Sequence, residues 1–120
     1  MKITNKTIKA YRPENNLEKK VKSIIVCQTS DYENPEDFFK ELFNHGCVSG
    51  MIGELIYYHD THAFYIKYIE EIEELRDELE ESQGEPVNPP KDQDRLNWLA
   101  WFGFEETTRK IYQKLGGEDY

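Results

Sequence analysis

Residues 96–104 read LNWLAWFGF. Leu96, Trp98, Leu99, Trp101, Phe102 and Phe104 are large and apolar, and at about 100° per residue they surround the whole circumference of a helix. A helix apolar all round is an enclosed one. The pattern narrows afterwards to Ile111, Tyr112 and Leu115, and Gly116-Gly117 is a stop signal. The spacing therefore predicts a helix from about Asp94 to Leu115, its first half central to the core. Trp98 and Trp101 would alternatively stack on bases, but stacking surfaces come with basic neighbours. Here the neighbours are Glu105 and Glu106, which favours the core.

Working outward, helical periodicity recurs along most of the chain. Leu17, Val21, Ile24, Ile25 and Gln28 repeat at spacings of three and four, giving a first helix from Asn15 or Asn16. In DYENPEDFFKELFNHG, Asn34 is a natural N-cap and Pro35 suits the first helical position. Glu36 and Asp37 favour the positive end of the dipole, and Gly46 can close that second helix. CVSGMIGELIYY, residues 47–58, reads as a third, short helix in which Ser49, Gly50 and Gly53 allow close packing. Asp60 or Thr61 then caps the longest helix, to about Ser82. Its Tyr65, Tyr68, Ile72, Leu75 and Leu79 fall at a and d of two heptads, widened by Ile69. The loop GEPVNPPKDQD breaks the pattern and joins it to the 94–115 helix. The stretch ITNKTIKAYRP ends at Pro13 with short polar/apolar alternation and reads as a strand, an arm or a tail.

These elements add up to an all-α fold: one compact domain of about five helices over residues 14–120, with residues 1–13 as an N-terminal arm or strand. A chain of 120 residues supports a single modest core, and 38% hydrophobic with 13% aromatic residues argues for a folded one. No apolar run approaches the roughly 18 residues of a membrane span, and the N-terminus lacks the apolar centre of a signal peptide. A cytoplasmic setting and no membrane partner are the expectation. Cys27 and Cys47 have apolar neighbours and are expected as buried free thiols.

The net charge of −9 is unevenly spread. Residues 1–30 carry seven Lys/Arg against two Asp/Glu, whereas residues 61–90 carry two against nine. The density peaks at EEIEELRDELEE, residues 70–81, where Glu70, Glu71, Glu73, Glu74, Asp77, Glu78, Glu80 and Glu81 face the single Arg76. Like charges at i,i+4, such as Glu70/Glu74 and Glu73/Asp77, each cost a helix a few tenths of a kcal/mol. Lysines would relieve that repulsion if solubility were the only demand. An acidic helix repels nucleic acid and membranes and attracts a basic groove, so the eight carboxylates are the candidate partner-binding residues. The bland reading is a solvated helix back. The heptad stripe adds the alternative of a homodimer.

Catalytic signatures are sparse. Glycines 46, 50 and 53 lack the Gly-Lys-Ser/Thr of a phosphate loop. His45 with Cys47, and His59-Asp60 with His62, offer metal-ligand atoms but match no standard zinc spacing. Cys47 beside His45 is short of a nucleophile's usual context. The carboxylates of 70–81 are too many for one to be tuned as an acid or base. The reading is a non-enzymatic protein with no cofactor and no metal, with a small metal-dependent enzyme as the outside alternative.

Three motifs carry a resemblance. Gly-Cys-x-Ser-Gly at 46–50, Tyr-Tyr-x-Asp-Thr at 57–61 and Asn-Trp-Leu-Ala-Trp-Phe-x-Phe-Glu-Glu-Thr at 97–107 together span residues 45 to 116. That span resembles a family of small acidic proteins of phages, plasmids and other mobile elements. It is similar in setting to the proteins with which such elements block host defences, anti-CRISPR proteins among them. The resemblance implies an anti-CRISPR inhibitor, its partner a host CRISPR nuclease with a basic nucleic-acid-binding groove, without direct contact to nucleic acid. An interaction or structural protein of the element is the second reading.

Overall fold

A computed structural model describes residues 3–30, 32–44 and 61–117, the side chain of Asn44 excepted. Among them are six helices: α1 (Asn5–Ala10), α2 (Asn16–Thr29), α3 (Pro35–Asn44), α4 (Thr61–Lys67), α5 (Ile69–Gln83) and α6 (Arg95–Lys114). The fold is all-α, as the periodicity indicates. The expected short helix of residues 47–58, with Ser49, Gly50 and Gly53, lies outside the described residues, as do Gly46 and Asp60.

Helix α6 is the axis of the molecule and contacts α2, α4 and α5. Its Leu99, Ala100, Phe102, Gly103, Phe104, Thr107, Thr108, Ile111 and Tyr112 are buried. Thr108 satisfies its hydroxyl inside the helix by donating to the Phe104 carbonyl at 2.8 Å. Asp94 starts the helix by accepting from the backbone of Leu96 and Asn97 at 3.0 and 3.1 Å. The left-handed Gly116, φ 96°, ends it. Trp98 and Trp101 are half-buried and pack against the core, Trp98 stacking on Phe102 with ring centroids 5.6 Å apart.

The caps read from sequence recur at α2 and α3. Asn15 accepts from the Glu18 backbone at 2.8 Å and Asn34 from the Glu36 backbone at 3.2 Å. Helix α3 then packs Phe39 on Tyr112 of α6, centroids 4.8 Å apart. Cys27, expected buried, is exposed. It falls outside the stripe of Leu17, Val21, Ile24 and Ile25 that α2 turns inward. Cys47 lies outside the described residues.

Residues 5–10 are helical, which resolves the undecided N-terminal segment. Thr4 and Thr7 form a reciprocal capping box, which polar/apolar alternation over a short window does not reveal. Ile3 and Ile8 are buried in the shared core, and Lys22 donates to the carbonyls of Lys9 and Tyr11, both at 2.8 Å. The Tyr11 hydroxyl donates to the buried Glu18 carboxylate. Burial, then that bond, hold the Tyr11 proton well above the ordinary phenol range, so it stays a donor.

The single helix expected over 61–82 is two. Tyr68, φ −114° and ψ 27°, separates α4 from α5. The break aims Phe64 and Tyr65 of α4, together with Tyr68 and Ile72, into one core. Of the heptad stripe, Tyr65, Tyr68 and Ile72 are buried in the chain's own core, while Leu75 and Leu79 are half-buried against it.

Helix α5 lies tightly against α6 where Ile72 covers Gly103. A Cβ at position 103 would lie 2.6 Å from Ile72 Cγ1. Gly103→Ala should therefore cost about 1–3 kcal/mol through overpacking, despite the better helix propensity of Ala. The same change in an Ile72→Ala background, which removes Cγ1, Cγ2 and Cδ1, should cost less than the two single costs combined. Urea midpoints of the four proteins check this, and full additivity would refute the contact as the cause.

Candidate functional site

Helix α5 carries the candidate carboxylates, and the fold divides them. With about 100° per residue, Ile72, Leu75 and Leu79 point one way, toward the core. Glu70, Glu74, Asp77, Glu78 and Glu81 fall within about 100° of one another on the opposite side, and all five are exposed. Glu78 meets Lys110 of α6 at 3.4 Å. Glu70, Glu74, Asp77 and Glu81 make no ion pair or side-chain hydrogen bond among the described residues. They form a ridge of charge along the outer edge of the molecule.

Glu73 and Glu80 sit on a flank and have a different task. Arg76, its side chain 12% exposed, lies between them at 3.4 Å from Glu73 and 3.7 Å from Glu80. Its guanidinium also donates to the Val87 carbonyl at 2.6 Å and to Asn88 Oδ1 at 2.7 Å. Glu80 accepts from the Val87 backbone N–H at 2.9 Å, and Glu73 from the Tyr65 hydroxyl at 2.7 Å. Val87 is thereby held with its side chain buried. This cluster pins the proline-rich loop to α5, so Glu73 and Glu80 serve the fold and only part of the acidic run is free to meet a partner. Glu71 is half-buried between ridge and core. From sequence the lone Arg76 reads as charge relief, and the pairing of its guanidinium with a loop 11 residues on is invisible to helical spacing.

Beside the ridge, α5 and α6 bound a groove of about 440 Å³ floored by Leu75 and Leu79 and walled by Glu78, Glu106, Arg109 and Lys110. Burial raises the Glu106 carboxyl above the usual carboxylate range, Arg109 opposing and Glu105 adding to the shift. At the helix starts, His62 Nε2 lies 3.1 Å from both Asp94 oxygens, tying α4 to the cap of α6. Of the residues considered as metal ligands, only His62 is described. His45, Cys47 and His59 lie outside the described residues, and among the described residues no cluster of three or more His, Cys, Asp or Glu could hold a metal ion. Among them, too, no helix is long and apolar enough to cross a membrane.

The profile of the DUF7222 family, a domain of unknown function, matches residues 14–117, and the chain belongs to that family. No curated protein and no solved structure matches it.

Two outcomes follow from this geometry. Arg76→Ala should destabilise the protein by about 1–3 kcal/mol, because it leaves the Val87 carbonyl without its donor and Glu73 and Glu80 without their shared counter-charge. It should also speed protease cleavage within residues 84–94, and a wild-type cleavage rate would show the clamp to be idle. For Glu106, a raised folded pKa means that the protonated form favours the folded state. That contribution is full below the unfolded value of 4.5 and lost as pH rises through the folded one. Glu106→Gln should accordingly be the more stable protein at pH 7, with the gap from wild type closing below about pH 4 in urea titrations.

Proposed function

We propose, with membership of a family of unassigned function as the premise, that this chain is a mobile-element protein that inhibits a host defence nuclease without itself being an enzyme. The most concrete target is an RNA-guided CRISPR nuclease. The α5 ridge lies in the basic groove that otherwise takes nucleic acid, and the setting is the cytoplasm of the host cell.

The observation that carries this reading is the ridge itself. Five exposed carboxylates fall between residues 70 and 81, which is about 16.5 Å at about 1.5 Å per residue. That is roughly one charge per 3.3 Å, against about 3.4 Å along one strand of duplex DNA. Four of the five have no internal cation among the described residues. The ridge is backed by a fixed core face and by the Arg76 clamp, so little ordering remains to be done on binding. The resemblance to small acidic proteins of phages and plasmids supports the same reading. The alternative of a dimer through the heptad stripe is less favoured, since Tyr65, Tyr68 and Ile72 are used inside the chain's own core.

A pull-down from host lysate, with and without nuclease treatment, identifies the partner. Its affinity for wild type and for the Glu74→Lys, Asp77→Lys, Glu81→Lys triple variant is then measured across a salt series. These three positions are exposed and outside the clamp, so circular dichroism should show an unchanged fold. Binding should fall by about 100-fold as attractions become repulsions, and wild-type binding should weaken steeply with salt. An unchanged affinity in the folded variant would leave the ridge as a solvated helix back.

A further inference from the structure

The opposite sign of charge is gathered at α2. A shallow groove of about 360 Å³ is lined by Asn16, Lys19, Lys20 and Ser23 of α2 and by Lys67 and Tyr68 at the α4–α5 break. A second, of about 640 Å³, shares Asn16, Lys19 and Ser23 and continues over Pro13, Glu14, Asn15, Lys22 and Val26. Together they make one strip along α2. Glu14 is the one carboxylate among these lining residues, and Lys114 holds it at 2.6 Å. The Lys114 bond and charge keep the Glu14 carboxyl below the usual carboxylate range. Lys22 is committed to the carbonyls of Lys9 and Tyr11. Lys19 and Lys67 are exposed. Ile66 and Ile69, flanking Lys67 and Tyr68 in the chain, are 59% and 41% exposed, the two large apolar side chains most open to solvent among the described residues.

We propose that this strip docks an acidic segment of a partner protein in which apolar side chains are interleaved with the carboxylates. Charge complementarity selects the sign of the occupant. The kind of occupant follows from the rest of the lining: lysine stems, Val26 and Pro13 offer apolar contact between the ammonium groups. Nucleic acid is the poorer fit, because single strands bind by stacking bases on exposed rings. Tyr68 is 6% exposed, and its ring is spent on Phe64, centroids 5.0 Å apart. The net charge of −9 does not forbid an acidic occupant. The molecule measures 39 × 32 × 26 Å, and at 0.1 M salt charges are screened over about 10 Å. Asp77 is ten residues beyond Lys67, roughly 15 Å along the helices, so the far part of the ridge is screened from the strip, whereas Glu70, three residues beyond Lys67, adjoins that end of it. The inference goes beyond the inhibitor reading and does not depend on it.

The test uses the full chain and a fluorescein-labelled peptide of about 15 residues, with leucines at i, i+3, i+4 and i+7 and Glu or Asp elsewhere. Anisotropy at 0.1 M salt is read for wild type, for Lys19→Glu/Lys67→Glu, and for Ser23→Asp, which blocks the strip without removing a lysine. The expected result is saturable binding, weakened about tenfold in both variants and weakened again when the leucines of the peptide become serines. Glu74→Lys/Asp77→Lys should bind as wild type or tighter. Equal binding by wild type and both strip variants overturns the proposal, as does no binding up to about 0.5 mM protein. Tighter strip-dependent binding of a labelled single-stranded RNA, or of vesicles containing phosphatidylserine, would assign the strip to those partners instead and overturn it too. So would salt-sensitive self-association of the full chain through Lys19 and Lys67.

Discussion

Everything in this fold depends on how closely α5 is allowed to approach α6. The missing side chain at Gly103 lets Ile72 descend onto the central helix. That fixes the rotation of α5, and the rotation decides which carboxylates face water. The same helix turned by one residue would bring Glu73 or Glu71 against the core, at the cost of a buried charge. A single absent methyl group thus sets the orientation of a highly charged helix. Across the Tyr68 break the i→i−4 backbone bonds of Tyr68 to Phe64 and of Ile72 to Tyr68 persist, and Phe64, Tyr65, Tyr68 and Ile72 stay together in the core.

Where a feature is written in a local pattern, the sequence announces it. The all-round apolarity of LNWLAWFGF identifies the axis helix, and Asn15, Asn34, Asp94 and Gly116 mark helix boundaries through capping chemistry that acts within a turn. Features that rest on tertiary contact are silent there. The helix at residues 5–10 is too short to show a period, and what holds it is a capping box and two isoleucines whose partners are distant in the chain. The break at Tyr68 has neither proline nor glycine to signal it and falls on a heptad position without disturbing the stripe's spacing. Cys27 looks internal by its neighbours and is external by its angle.

The candidate site shows the same division. Composition alone singles out residues 70–81 as the most acidic stretch, and helical spacing alone places Glu70, Glu74, Asp77, Glu78 and Glu81 on one side. That Glu73 and Glu80 belong to a clamp depends on where the loop of residues 84–94 returns, and no spacing rule encodes a loop's path. Arg76 is the residue whose meaning changes most, from a lone counter-charge to the donor that joins α5 to Val87 and Asn88. The lysines of α2 are visible as a basic N-terminal quarter, yet only the fold sets Lys67 beside Lys19.

The link between Lys114 and Glu14 has a consequence in time. It joins the last turn of α6 to the turn before α2 across 100 residues of chain, and Lys114 also lies 3.9 Å from Glu18. The axis helix follows α1 to α5 in the chain, so those five are synthesised before the helix they wrap around. Until residues 95–114 are made, the apolar faces of α2, α4 and α5 stay open and Glu18 lacks its cation. Their packing onto α6 waits for those residues, although α1 can meet α2 earlier. A truncation inside α6 accordingly removes the surface on which three helices pack.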